Sequence, residues 1–207
     1  MQRPNRKLQQ NLNYLKESFQ DGYKNASLAF SEISRDKIYY NNFHHSLHSM
    51  EINSISKMPF INRAGANVLT STEIFGDISG KSYLLLGEHE FEVFTENIEL
   101  GKNVFMDRNI KIEFMKELHN ILTTSVTSKL NEHLSLKMYG NIPTWTELFD
   151  GNIANLIHHD FNNEAQDIYI NCIYFSLDAN PQVQPFFIWV LHSNVLETIN
   201  KQPTTTI

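Results

Sequence analysis

The chain has 207 residues, 41% of them hydrophobic and 19% charged, with a formal charge of −6 and a pI near 5.8. That composition is ordinary for a globular protein long enough to bury a core. The acidic balance argues against a nucleic-acid binder, which needs a basic stripe; the nearest thing to one is Arg3, Arg6 and Lys7, at an end expected to fray.

No run approaches the roughly 20 apolar residues that span a bilayer, and the best, Phe186 to Leu191, suits a buried strand. The first residues carry positive charge but lead into Gln and Asn rather than a signal-peptide apolar core. The single cysteine, Cys172, sits in an apolar run and reads as a structural thiol in a reducing compartment. The expectation is a cytoplasmic protein with neither membrane nor nucleic acid as partner.

In chain order, an amphipathic helix is predicted over about Lys7–Ile33, where Leu8, Leu12, Leu15, Phe19, Tyr23, Ala26, Phe30 and Ile33 step by threes and fours. Strands follow at Lys37–Phe43 and Asn67–Ile78, then a turn at Ser79-Gly80-Lys81, a return strand at Tyr83–Leu86 and a short helix at His89–Ile98. A shift of 100 residues repeats the pattern. A second helix covers about Ile110–His133, with Asp107 or Asn109 as N-cap. Strands at Leu136–Ile142, Asp167–Leu177 and Phe186–Leu191 follow, with a turn at Asp178–Gln184 and a last helix at Asn194–Asn200. Lys16-Glu17 and Lys116-Glu117 coincide under the shift.

These elements predict an α/β (α+β) fold. Two pseudo-symmetric helix–three-strand–helix repeats, about 7–100 and 107–201, would share one continuous sheet of about six strands, with the two long helices packed on it. Residues 1–207 are read as a single domain, since either repeat alone leaves a sheet edge and an apolar helix face open. Thr144–Phe161 has no counterpart; Thr146 is a candidate helix cap there and Gly151 a weak point. The Thr-rich tail Thr204–Thr206 is expected to be disordered.

The second helix reads Glu113-x-x-x-Glu117-x-x-Asn120, and twenty-two residues separate Asn120 from Pro143. This resembles the signature of the CheC, CheX and FliY phosphatases: Asp or Ser, three residues, Glu, two residues, Asn, twenty-two residues, Pro. Glu117-Leu-His-Asn120-Ile is similar to the family's Glu-Ile-Gly-Asn-Ile, and Gly76-Asp-Ile-Ser-Gly80 to its hairpin motif. In the first repeat Gly22-Tyr-Lys-Asn25-Ala26 is similar to Gly-Ala-Gly-Asn-Ala. The resemblance spans about residues 10 to 201. Glu113 departs from the Asp or Ser of the pattern. His119 departs from Gly on a surface expected to admit a partner closely. The first repeat has Glu17, Gln20 and Phe43 where the pattern wants Glu, Asn and Pro, a degenerate second site.

The resemblance implies hydrolysis of the aspartyl phosphate on a CheY-type response regulator in chemotaxis signalling. Glu117 and Asn120, at i and i+3, leave one helical face. By resemblance Asn120 orients the attacking water and the Glu117 carboxylate pairs with the receiver's lysine, while Glu113 and Pro143 support the site. No cofactor is expected on this chain, since Mg²⁺ arrives with the phosphorylated receiver. A CheD-type deamidase is a further partner the resemblance allows.

The alternative is a non-catalytic receiver-binding or flagellar-switch-like module. Flagellar-switch members usually add a receiver-binding peptide or a switch domain, and neither is expected here. The clusters His44, His45, His48 and His158, His159, Asp160 lack a closed ligand set, so no protein metal site is expected.

Overall fold

The computed structural model describes residues 6–57, 66–97, 107–148, 152–161 and 167–201. Helix α1 (Arg6–Ser34) leads into strand β1 (Ile38–Glu51) and a 3-10 helix (Ile52–Lys57). The hairpin β2 (Ala66–Gly76) and β3 (Gly80–Gly87) follows, then α2 (Glu88–Asn97). The second half runs α3 (Arg108–Leu134), β4 (Met138–Gly140), β5 (Thr144–Glu147), α4 (Ile153–Phe161), β6 (Asp167–Leu177), β7 (Phe186–Leu191) and α5 (Val195–Lys201).

One seven-stranded sheet has the order β1-β6-β7-β3-β2-β4, with β5 also pairing β2. All the pairings are antiparallel. The order reads the same from the other edge when β1 is exchanged with β4, β2 with β6 and β3 with β7. Each long helix thus hands its first strand to the hairpin of the other half.

The central strand β7 explains the core. All six of its residues are buried: Phe187, Trp189 and Leu191 face one cluster, Phe186, Ile188 and Val190 the other. A strand covered on both faces reads as an unbroken apolar run, as this one does. On the first face α1 and α3 lie side by side, α1 contributing Leu15, Phe19, Tyr23 and Phe30, and α3 contributing Met115, Leu118, Leu122 and Val126. Each large apolar side chain so buried contributes roughly 1.5–3 kcal/mol.

The opposite face is covered by the 3-10 helix and by α4, through Ile52, Ile55, Ile153, Ile157 and Phe161. Cys172 is buried there as a free thiol. Among the described residues no helix is long and apolar enough to cross a membrane.

Several expectations need correction. The continuous sheet of about six strands is found with seven among the described residues, the unanticipated one being Thr144–Glu147, which pairs with β2 at Val68–Ser71. Thr146 therefore lies in a strand and caps nothing; α4 starts later, with Asn152 Oδ1 accepting from the Asn155 N–H at 3.1 Å. Four residues are too few for alternation to reveal a strand. β1 runs eight residues beyond Phe43, through pairing with β6 that skips register at two irregular points. β4 is shorter than the predicted Leu136–Ile142, because β2 offers it partners only from Ile74 to Gly76. Gly151 and Thr204–Thr206 lie outside the described residues.

The β2–β3 turn is set by Gly76, whose φ of +116° is the left-handed side that a side chain resists. A Cβ there would fall 1.9 Å from the Lys137 carbonyl oxygen. Gly76→Ala should lower the unfolding free energy by about 2 kcal/mol or more in urea titrations. An alanine variant as stable as the parent would show that the turn does not need that backbone.

Candidate functional site

Helix α3 begins at a good cap: Asp107 Oδ1 accepts the Ile110 N–H at 2.9 Å. Its first turn is tied down by Arg108, which donates to Glu88 at 2.6 Å and to Glu147 at 2.9 Å, and by Lys111 paired with Glu92. The helix ends at Ser135 in the left-handed region, φ 51°, and α1 is followed likewise by Arg35, φ 53°.

Strand β4 is then fastened at several points. The Asn131 side chain donates to the Met138 carbonyl at 2.9 Å and accepts its N–H at 2.8 Å. Asp77 accepts the Lys137 N–H at 2.8 Å, while its own N–H donates to the Lys137 carbonyl at 3.0 Å. The Asn141 N–H donates to the Glu73 carbonyl at 2.9 Å.

Between α3 and the exit of β4 lies an open groove of about 310 Å³, lined by Glu113, Lys116, Glu117, Asn120, Gly140, Asn141, Ile142 and Pro143. Glu113, Glu117, Asn120 and Pro143 are thus neighbours on one surface, although Pro143 comes from a different element. Pro143 is buried, between β4 and β5. Its fixed φ and missing N–H suit a link between two short strands that both pair with β2.

Burial sorts the helix residues into two rows. Glu113 and Glu117, one turn apart, are exposed; Lys116 and Asn120, also one turn apart, are half-buried. The second row continues to Thr123, whose methyl would lie 3.0 Å from a Cβ on Gly140. Lys116 and Asn120 therefore form the wall nearer the strand, and the two glutamates the outer rim. Lys116 Nζ is paired with Glu113 Oε1 at 2.7 Å. Ile142 is 82% exposed at the mouth. The sequence motif includes neither Lys116 nor Gly140; the signal available for Lys116 was its i,i+4 spacing from Asn120.

His119 departs from expectation. It faces the sheet, with 0% exposure, rather than a partner. Its Nε2 is 3.0 Å from Ser82 Oγ, which lies 3.1 Å from Thr123 Oγ1. The position belongs to the apolar stripe, as Phe19 does in α1. Stripe membership was legible; the partner Ser82, on β3, was not.

In the first half, Glu17 is exposed and Gln20 half-buried on α1. Where β4 has Gly140, β1 has Tyr40, partly buried against the core. The side chains of Phe43, His44, His45 and His48 lie outside the described residues. His158 and His159 lie on α4, and Asp160 accepts from Tyr83 Oη at 2.8 Å and pairs with Lys81 at 2.9 Å. Among the described residues no group of three or more His, Cys, Asp or Glu is placed to hold a metal.

No family model and no curated protein matches the sequence. Solved structures do. FliY from Thermotoga maritima superposes with a TM-score of 0.68 at 17% identity, over 92% of this chain and 93% of that one. A chain of the FliM–SpeE complex from H. pylori gives 0.60 at 9% identity, over 99% and 100%. CheX from Desulfovibrio desulfuricans gives 0.54 at 10% identity, over 85% and 99%. The fold is the one these three chains share.

Burial pushes the pKa of His119 down from 6.5 to about 3. The unfolded chain therefore takes up a proton between those values that the folded chain refuses, and stability falls as pH drops through the window. The slope from this residue is about 1.4 kcal/mol per pH unit. Between pH 7 and pH 5 the wild type should lose about 2 kcal/mol more than His119→Phe in urea unfolding. Equal losses would mean that His119 protonates in the folded state.

Proposed function

We propose that this chain, with the fold of FliY and CheX, is a phosphatase acting on the aspartyl phosphate of a CheY-type response regulator. The observation that carries the reading is the groove that brings Glu117, Asn120 and Pro143 to one surface. It is open to solvent on the side where another protein can dock.

The chemistry asks little of the chain beyond placement. Phosphoryl transfer from an acyl phosphate passes through a loose transition state, so the catalyst contributes positioning and charge. A carboxamide donates and accepts at once, which suits Asn120 to hold one water in line with the phosphorus. Its half-buried place in the inner row limits its rotamers, whereas Glu117 on the rim can reach a lysine on the partner. The Mg²⁺ is the receiver's own. Water attacks phosphorus, the P–O bond to the aspartyl carboxylate breaks, and inorganic phosphate leaves.

Only one such site is proposed. Gln20 offers an amide at the corresponding place on α1, but Tyr40 replaces the glycine beside it.

The test is phosphate release from a phosphorylated CheY-type receiver with Mg²⁺. Wild type should accelerate it, Asn120→Ala and Glu117→Ala should each lose about 100-fold or more, and Gln20→Ala should change little. Binding without acceleration would instead favour a receiver-binding or switch-like module.

A further inference from the structure

We propose that Lys116 is the residue by which this groove distinguishes a phosphorylated partner from an unphosphorylated one. The inference rests on the reading of the groove given above and adds a determinant of specificity to it.

Among the described residues lining the groove, Lys116 carries the one positive charge, against the carboxylates of Glu113 and Glu117. A phosphoryl group brought to such a surface meets net repulsion unless a cation turns toward it from among the acids. Lys116 is rooted where it can do so, although its ammonium rests 2.7 Å from the Glu113 carboxylate. Lys116 shares the inner, half-buried row with Asn120, and the carboxylates stand on the outer rim. Lys116 and Asn120 leave the helix one turn apart, so a phosphoryl group whose attacking water is held by Asn120 lies within the reach of a lysine side chain rooted at position 116.

Glu113 adds preorganisation. Its Oε1 holds Lys116 Nζ at 2.7 Å, and the lysine side chain is 28% exposed while the glutamate is 69% exposed. A lysine otherwise spends rotamer entropy when it engages an anion; one already tethered spends less. Half-burial also weakens screening by solvent, so the charge acts further than on an open surface. Glu113, the residue that departs from the Asp or Ser of the family pattern, thereby keeps the ammonium at the groove.

The experiment measures affinity for a CheY-type receiver with Mg²⁺, with and without beryllofluoride, which mimics the phosphoryl group and is not hydrolysed. Wild type should favour the beryllofluoride form. Lys116→Met, which keeps the apolar stem, should reduce that preference about tenfold through the beryllofluoride form alone, and less so at high salt. Lys116→Arg should keep most of the preference.

An equal loss for both receiver forms would make Lys116 a general docking contact and overturn the inference, as would no loss at all. A wild type that binds both forms equally overturns it too, and leaves hydrolysis to be judged by phosphate release. A wild type that binds neither form removes the receiver reading itself.

Discussion

The groove exists because a strand of three residues is kept where it is. β4 has one neighbour in the sheet, β2, and so short an edge strand has little pairing energy of its own. Three polar side-chain contacts supply what pairing does not: Asn131 from the end of α3 brackets Met138, and Asp77 from the β2–β3 turn accepts the Lys137 N–H. With those in place the chain leaves the sheet at Asn141 in a fixed direction, and Pro143 arrives beside the helix. The Gly76–Asp77 turn is therefore part of the site although neither residue lines it.

The two halves share more than their order of elements. At an offset of 100, Ser31 accepts the Ile38 N–H at 2.9 Å as Asn131 accepts that of Met138. What differs between them bears on chemistry. Gly140 permits close approach of β4 to Thr123, whereas Tyr40 fills the matching place with a ring. Phe19, buried in α1, has His119 as its counterpart, and that histidine brings Ser82 and Thr123 into a polar contact beneath the turn that carries Asn120. Each first strand crossing to the other half's hairpin explains why neither half closes a sheet alone.

Charge is distributed with similar economy. The acidic rim and the inner lysine sit within one turn of each other, and the ion pairs of Arg108 and Lys111 fix the start of α3 against α2 and β5. Surface ion pairs of this kind contribute little to stability singly. Their effect here is on position, since a helix held at its first turn and packed along its length has little freedom to rotate the face that lines the groove.

The sequence by itself determined the long helices, the hairpins and the core strand β7, because periodicity and unbroken apolar runs record burial residue by residue. It also carried the motif of Glu117, Asn120 and Pro143, in the spacing of a resemblance. It did not reveal β5, a four-residue strand too short to alternate, nor the cover that α4 gives the second face. Only the tertiary structure decided that His119 points inward, that Lys116 shares a wall with Asn120, and that Gly140 rather than a side chain meets Thr123. These depend on which faces of α3 and β4 meet across a gap of many residues, and a linear pattern holds no record of contacts between elements that are joined only by packing.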